Sequence, residues 1–367
     1  MLKKIRVNLG RRSYGIFLKE KILNNFISLL RSATHSKRFV ILSSEPIFKI
    51  YGEMVKETLG KSGLKFHVIL IPDGEKHKNS KTLLFILGKL AQFNIQRDGC
   101  LLALGGGVVG DLGGLAASLY MRGIDYLQVP TTLLAQVDAS IGGKTAVDFH
   151  GIKNLIGAFY QPKMVLIDPL VLKTLSDRQF KTGLAEVIKY GVIGDERLFE
   201  KIENNLPAIL KKDPEILKSI IFSSCRIKSK IVSMDEKESG KRAWLNYGHT
   251  LGHALEAHFK YKTLTHGEAV AYGMWFSSKL SFRLGFCSAS VMDRQRILLK
   301  KVGLFPRLPR FDPGAVLRKM FLDKKARNGQ ILFILTRKIG LVTIQKNIPR
   351  QIILSALNQL QAEASES

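Results

Sequence analysis

Cys100-Leu-Leu-Ala-Leu-Gly105-Gly-Gly-Val-Val-Gly110-Asp111 is the stretch on which the fold turns. A short apolar run enters a cluster of glycines and continues into residues able to open a helix. That order describes a buried strand, a tight turn and a helix N-terminus. Glycines 105, 107 and 110 fit the spacing G-x-G-x-x-G, in which the backbone approaches a pyrophosphate and the helix N-terminus favours its charge. The pattern alone is weak, because a strand–helix turn without a ligand uses the same residues. A standard dinucleotide fingerprint also lies close to the start of its domain, whereas a hundred residues precede this one.

Upstream, Phe39-Val-Ile-Leu-Ser and Phe66-His-Val-Ile-Leu-Ile read as further buried strands. Between them, Phe48 to Leu59 reads as a helix closing near Gly60. Lys81 to Phe93 reads as another, with Leu83, Leu84, Leu87 and Leu90 in register. Strands alternating with helices predict a parallel sheet with crossover helices. After Leu175 the character changes. Ser176 and Gln179 suggest a capping box, and helical periodicity then dominates to about residue 300. Ile331-Leu-Phe-Ile-Leu-Thr and Gly340-Leu-Val-Thr-Ile predict a short hairpin, and Arg350 to Leu360 a last helix. The expected organisation is an α/β domain over 1–175, a helical domain over 176–360 and a frayed tail over 361–367.

Composition narrows the function classes. Hydrophobic residues make up 46% and charged residues 24% of 367, ordinary for a soluble globular protein. No run approaches the roughly 20 apolar residues of a membrane span, and Met1-Leu-Lys-Lys-Ile-Arg-Val lacks the apolar core of a signal peptide. Cys100, Cys225 and Cys287 are sparse and odd in number, which fits a reducing cytoplasm and argues against a disulfide framework. The net charge of +27 raises nucleic acid or an anionic membrane as partners. The cations are spread from Lys3 to Arg350 with no arginine-rich tail, so neither partner is expected; steering of an anionic substrate is the plainer account.

Several polar constellations are candidates for chemistry. Asp73-Gly-Glu-Lys-His-Lys78 and Thr131-Thr132 follow strand ends, where open α/β sheets bind ligands, although the first also reads as an exposed loop. Gly142-Gly-Lys-Thr suggests a P-loop, but G-x-x-x-x-G-K-[ST] requires glycine where Asp138 stands, which excludes that reading. Of Asp138, Lys144, Lys153 and Asn154 in the same polar stretch, the two lysines and the asparagine remain suited to an anionic group. In Asn246-Tyr-Gly-His-Thr-Leu-Gly-His-Ala-Leu-Glu, a helix puts His249, His253 and Glu256 on one stripe, opposite Leu251, Leu255 and Phe259. Imidazoles one turn apart commonly bind a metal; a solvated polar face is the alternative. Gly248 and Gly252 cost helix stability but permit close approach by another backbone. His266 would start the next helix. Glu186 and Lys189 share a helix face, and their plain reading is a surface ion pair worth about 0.3 kcal/mol.

Taken together, Gly105-Gly-Gly-Val-Val-Gly-Asp-Leu, Tyr120-Met-Arg-Gly-Ile, Gln128-Val-Pro-Thr-Thr-Leu-Leu-Ala-Gln-Val-Asp, Gly142-Gly-Lys-Thr-Ala-Val, Lys153-Asn-Leu-Ile-Gly-Ala-Phe, Leu184-Ala-Glu-Val-Ile-Lys-Tyr-Gly and Asn246-Tyr-Gly-His-Thr-Leu-Gly-His-Ala resemble the 3-dehydroquinate synthase family of sugar-phosphate cyclases. The likeness runs from about residue 35 to about residue 340 in fixed order. It implies a Rossmann-like NAD-binding α/β domain, an all-α metal-binding domain and a site in the cleft between them. It assigns a divalent metal, zinc or cobalt, to Glu186, His249 and His266. His253 then becomes a proton-transfer candidate rather than a ligand, beside Lys189, Asp138 and Lys228 as catalytic residues.

By the same resemblance, NAD contacts fall on Asp73, Gly74, Glu75, Lys76, His77 and Lys78; on Gly107, Val108, Val109, Gly110 and Asp111; on Thr131 and Thr132; on Lys144 and Lys153; and on Val171, Leu172, Lys173 and Thr174. Substrate contacts fall on Arg122, Lys144, Asn154, Arg242, Asn246 and one of Lys324 and Lys325, with Arg122 reaching across a homodimer. Contacts of Ser43-Ser-Glu45 stay open. The implied reaction turns 3-deoxy-arabino-heptulosonate 7-phosphate into 3-dehydroquinate and phosphate, by transient oxidation, phosphate β-elimination, re-reduction and aldol closure. The planar fork of Arg242 suits a carboxylate. The alternatives are another cyclase, making an inosose or valiolone, and a metal-dependent polyol dehydrogenase.

Overall fold

The computed structural model describes residues 1–238, 240–324 and 331–365. The chain forms two compact units, one of Met1–Leu175 with Leu217–Lys237 and one of Ser176–Ile216 with Glu238–Ser367. The first unit runs β1 (Lys3–Val7), β2 (Tyr14–Leu18), α1 (Ile27–Ala33), β3 (Arg38–Ser44), α2 (Glu45–Gly60), β4 (Lys65–Ile71), α3 (Ser80–Gln92), β5 (Cys100–Gly105), α4 (Gly107–Leu119), β6 (Asp125–Pro130), β7 (Lys144–Phe149), β8 (Ile152–Phe159) and β9 (Met164–Ile167).

Seven of these strands make one sheet in the order β1-β2-β9-β6-β5-β3-β4. All neighbours are parallel except β1 with β2. A parallel sheet must be covered on both faces, and the sequence supplies apolar residues for both. Along β3, Phe39 and Ile41 enter the core with α1 and α2, while Val40 and Leu42 enter the core with α3 and α4. Central β5 is buried throughout, as its unbroken apolar run requires. On α3 the buried residues are Thr82, Leu83, Ile86 and Leu90, whereas Leu84 is 66% exposed. The expected register therefore holds for Leu83 and Leu90 but not for Leu84, whose position lies one residue around the helix from the buried stripe.

The polar stretch after Asp138 becomes the antiparallel hairpin β7–β8, which the sequence reading did not anticipate. Phe149 pairs with Ile152, leaving His150 and Gly151 as a two-residue turn, both at positive φ (49° and 76°). Those are the requirements of a type I′ turn, here met by His-Gly instead of the commoner Asn-Gly.

The second unit begins with α5 (Asp177–Gly194), α6 (Glu196–Asn204) and α7 (Leu206–Leu210). Next comes α8 (Pro214–Met234), most of which belongs to the first unit, contrary to the expected undivided domain over 176–360. Its Cys225 Sγ donates to Gln136 O, its Lys228 Nζ to Asp138 Oδ1, and its Lys218 pairs with Glu20. Helical periodicity shows that a face is buried, not which core receives it. Then follow α9 (His249–His258), α10 (His266–Arg283), α11 (Ala289–Val302), α12 (Pro313–Lys324), the hairpin β10 (Phe333–Lys338) and β11 (Leu341–Gln345), and α13 (Arg350–Ser365). Helices α9, α10, α12 and α13 share one apolar core with the hairpin. The tail expected to fray is instead helical to Ser365, because Leu360 and Ala364 bury one turn apart and Glu363 pairs with Lys279. Among the described residues no helix is long and apolar enough to cross a membrane.

Candidate functional site

Three helices of the second unit each bring one ligand-type side chain to a common point: Glu186 on α5, His249 opening α9 and His266 opening α10. The close approach has a local cause. Gly248 has φ +78°, and a Cβ on Gly273 would lie 1.7 Å from Gly248 O, so α9 and α10 touch backbone to backbone. A Cβ on Gly267 would lie 2.5 Å from Thr182 Cα, which seats the start of α10 against α5. Thr265 and Glu268 form a complete capping box around His266, and Arg178 clamps Glu268 at 3.1 and 3.0 Å.

One ligand atom from each of Glu186, His249 and His266 lies within 4.8 Å of the others. His249 Nε2 is 3.4 Å, and His266 Nε2 3.5 Å, from Glu186 Oε1. The far side of each ring is held. His249 Nδ1 meets Tyr247 O at 3.0 Å, and His266 Nδ1 lies 3.5 Å from Glu256 Oε2. Outer partners of this kind set the tautomer and aim Nε2 at a metal. Burial, reinforced by Lys189, lowers the pKa of His249 to about 3, so its ring is a neutral donor. For His266, burial opposes protonation, but hydrogen bonds to Glu186 and Glu256 outweigh it and raise the pKa to about 10. Two imidazoles and a buried carboxylate, with Glu256 behind one of the rings, fit a divalent cation with an open coordination position. Substituting Glu256→Gln, which keeps shape but removes charge behind His266, should weaken metal affinity by about 10- to 100-fold. A competitive chelator titration measures it.

His253 is one turn along α9 from His249, ring centroids 5.3 Å apart, and 6.3 Å from the His266 ring. It stands beside the cluster rather than in it. Glu186 and Lys189 are ion-paired but 0% and 1% exposed, so the surface-pair reading is corrected: α5 is buried along almost all of its second half. Arg242 is buried at 1% exposure, and Asn246 Nδ2 donates to Glu238 Oε1. Lys325 lies outside the described residues, and Lys324 is placed only as the last residue of α12.

The first unit gathers a second set. Asp111, Asp138, Lys144, Asn154 and Lys228 line one cavity of about 520 Å³. Lys228 Nζ donates to Asp138 Oδ1 at 2.6 Å and to its carbonyl at 2.7 Å. Lys78, expected on an exposed loop, is 6% exposed and bonded to both Asp111 and Asn154. Burial outweighs the pull of Lys78 and lifts the Asp111 pKa to about 6. Burial also works against the charge on Lys78, but Asp111, with Glu75 and Asp148, together outweigh it and keep the pKa raised.

Most of the expected nucleotide contacts lie at C-terminal strand ends, whereas Lys144 opens β7 and Lys153 lies in β8. Asp73 to Lys78 follow β4, with Glu75–His77 as one 3-10 turn, and Lys153 reaches Glu75 at 3.3 Å. Gly107, Val108, Val109, Gly110 and Asp111 form the first turns of α4. Thr131 N donates to Gly105 O, bringing Thr131 and Thr132 beside that glycine turn. Val171 and Leu172 are buried, and Thr174 Oγ1 meets Tyr51 OH at 2.6 Å. The order β5-β3-β4 reverses direction between β3 and β5, the switch point at which open sheets bind ligands. Ser43, Ser44 and Glu45, left open by the sequence, stand at the end of β3 there.

Two family descriptions match consecutive parts of the chain: 3-dehydroquinate synthase N-terminal over 68–182 and 3-dehydroquinate synthase C-terminal over 183–326. The chain belongs to the 3-dehydroquinate synthase family. The 3-dehydroquinate synthase of Thermodesulfovibrio yellowstonii is 46% identical over 98% of this chain and 100% of its own length. That of Pelobacter propionicus is 46% identical over 96% and 99%. Solved sugar-phosphate cyclases have the same fold. The 2-epi-5-epi-valiolone synthase of Streptomyces hygroscopicus, with NAD+ and Zn2+ bound, superposes with a TM-score of 0.88 at 28% identity over 95% of this chain and 97% of that one. A 2-deoxy-scyllo-inosose synthase holding carbaglucose-6-phosphate, NAD+ and Co2+ gives 0.87 at 25% identity over 97% and 100%. Within the 3-dehydroquinate synthase family reading, Glu186, His249 and His266 are the group the resemblance implied for the metal, and this structure brings them together.

Proposed function

We propose that the protein is an NAD- and divalent-metal-dependent lyase that converts 3-deoxy-D-arabino-heptulosonate 7-phosphate into 3-dehydroquinate and phosphate. The observation that carries this reading is the 46% identity to 3-dehydroquinate synthases over essentially the whole of both chains. Sister cyclases reach 25–28%. When bound, NAD supplies a transient hydride acceptor, and the metal at Glu186, His249 and His266 supplies positive charge that acidifies a substrate hydroxyl.

The chain's own residues do the rest. Lys144 and Asn154, on the walls of the 520 Å³ cavity, bind the phosphate. Lys228, held on Asp138, keeps its charge directed into that cavity while elimination builds negative charge on the leaving group. Arg242 takes the carboxylate through its planar fork. His253 moves protons beside the metal ligands, and Lys189 balances the charge of Glu186. The decisive experiment follows phosphate release from the heptulosonate phosphate while absorbance reports NADH. Metal-dependent release without NADH accumulation is the expected result. Steady NADH build-up without phosphate would make the protein a dehydrogenase, and turnover only of sedoheptulose 7-phosphate or glucose 6-phosphate would make it a sister cyclase.

The same reading includes a cytoplasmic homodimer with Arg122 completing the partner's site. It is supported by β8, which pairs only with β7 among the described residues and leaves Ile152, Leu155 and Ile156 at 54%, 53% and 40% exposure. Light scattering should give twice the 41.0 kDa chain mass, falling towards one chain in Ile156→Asp. A wild-type monomer at working concentration would remove this part of the proposal.

A further inference from the structure

The first unit holds a second cavity, of about 460 Å³, to which the reaction assigns nothing. Its cations come from separate elements: Lys4 and Arg6 from β1, Arg11 and Arg12 from the turn before β2, and Lys163 from the residue before β9. The pleat explains the first pair, since Ile5 and Val7 point into the core and turn Lys4 and Arg6 outward. Asp125 is the one carboxylate in the lining, and it is already engaged by Lys163 and Thr34. Among the described residues no carboxylate pairs with Lys4, Arg6 or Arg11. Aromatic rings of Phe17, Phe159 and Tyr160 complete the walls.

Like charges converging on a concave surface repel one another until an anion joins them. Inorganic phosphate would fill a small part of this volume, whereas 300–1,000 Å³ is the usual range for small-molecule ligands. We propose that this cavity is a binding site for a phosphate ester of mononucleotide size, separate from the cavity that contains Lys228. Convergence on one hollow, rather than a track of cations, favours a small molecule over a nucleic-acid strand.

The site is wired to the other cavity within the same unit. Tyr14, in its wall, accepts from Gly142 N at 3.0 Å and so holds the turn that delivers Lys144. Arg12 and Gln161, also in its wall, bind Glu236, just past the end of the helix that carries Lys228. A bound anion competes with Glu236 for Arg12 and is thereby felt at both lysines. The binding stands apart from the proposed reaction; only this effect on the two lysines rests on it.

The test is calorimetric titration of the full-length protein, with metal and saturating NAD present, by AMP, by a hexose 6-phosphate and by inorganic phosphate. An organic phosphate should bind one per chain and more tightly than inorganic phosphate, with AMP and the hexose ester separating nucleotide from sugar-phosphate preference. Affinity should fall at least about tenfold in Arg6→Gln/Arg11→Gln and weaken with salt, yet stay within about twofold in Lys228→Gln. Lys4→Gln/Arg11→Gln, checked for an unchanged melting curve, serves if the first variant does not fold. Loss of binding in Lys228→Gln but not in the arginine variants overturns the proposal, as does equal affinity for inorganic phosphate. Tighter binding of a ten-nucleotide strand than of AMP, lost in the same variants, would replace it with a nucleic-acid surface.

Discussion

His249→Ala will be recovered as a folded protein that retains little divalent metal and releases phosphate at least about a thousand-fold more slowly than the wild type. Losing even an outer partner of a metal ligand costs about 10- to 100-fold, and His249 is a direct donor, so a further decade is expected; a thousand-fold is about 4 kcal/mol of barrier. The neighbours offer no replacement. The ligand atoms that converge are those of Glu186, His249 and His266 and not of His253, and His266 is already committed to Glu186 and Glu256. A contrast separates the two ligand sets that the sequence left open. If the cluster of Glu186, His249 and His266 holds the metal, His266→Ala loses it, while His253→Ala keeps it and loses rate only. Metal content measured by mass spectrometry reads this directly, and a metal-replete His266→Ala beside a metal-free His253→Ala would restore the helical pair.

The largest loss of stability is expected at Lys78→Met. The substitution keeps most of the apolar stem but withdraws the ammonium from Asp111 and Asn154. Removing one partner of a buried pair costs about 3–5 kcal/mol, and because Asp111 is 19% exposed the lower end, about 3 kcal/mol, applies. Burial already lifts Asp111 to about 6 with Lys78 present, so the variant's carboxyl must titrate higher. The sign follows. A carboxyl whose folded pKa exceeds its unfolded value binds more protons in the native state between the two, so stability falls as pH rises through that window. The variant should therefore lose less at pH 5.5 than at pH 8, relative to wild type, in urea unfolding. An equal loss at both values would locate the cost somewhere other than Asp111.

How much of this was legible in the residues depends on what each pattern encodes. Apolar runs ending at glycine, proline or charge marked β3, β4 and β5 because a doubly covered sheet leaves them no other composition. The β7–β8 hairpin left no such trace. Its outer strand carries exposed Ile152, Leu155 and Ile156, so the alternation that marks a half-buried strand is missing. The metal cluster was half legible. Helical spacing found His249 and Glu256 as members of one polar stripe, but their roles differ, one facing Glu186 and the other bracing His266 from behind. Glu186 and His266 arrive from other helices, and no spacing rule along the chain relates residues that meet only after packing. That link came from family resemblance. The same limit hid Lys78, since a basic loop residue looks solvated until the Asp111 and Asn154 that enclose it are placed.

The membership of α8 bears on how the molecule is made. All seven strands of the main sheet have been synthesised once Ile167 has emerged, yet Leu217–Lys237, with Lys228 and the Cys225 contact, arrives only after Ser176–Ile216, a stretch destined for the other unit. On the ribosome the first unit must wait for its contacts with α8 while α5, α6 and α7 pass. A chain cut after Leu175 would stay in that waiting state, and one begun at Ser176 would carry α8 with its apolar side, Leu217, Ile220 and Ile221, left bare. Neither half is a gene-sized module, so recombination or truncation at the most obvious boundary should yield aggregates where cuts that keep 217–237 with the sheet would not.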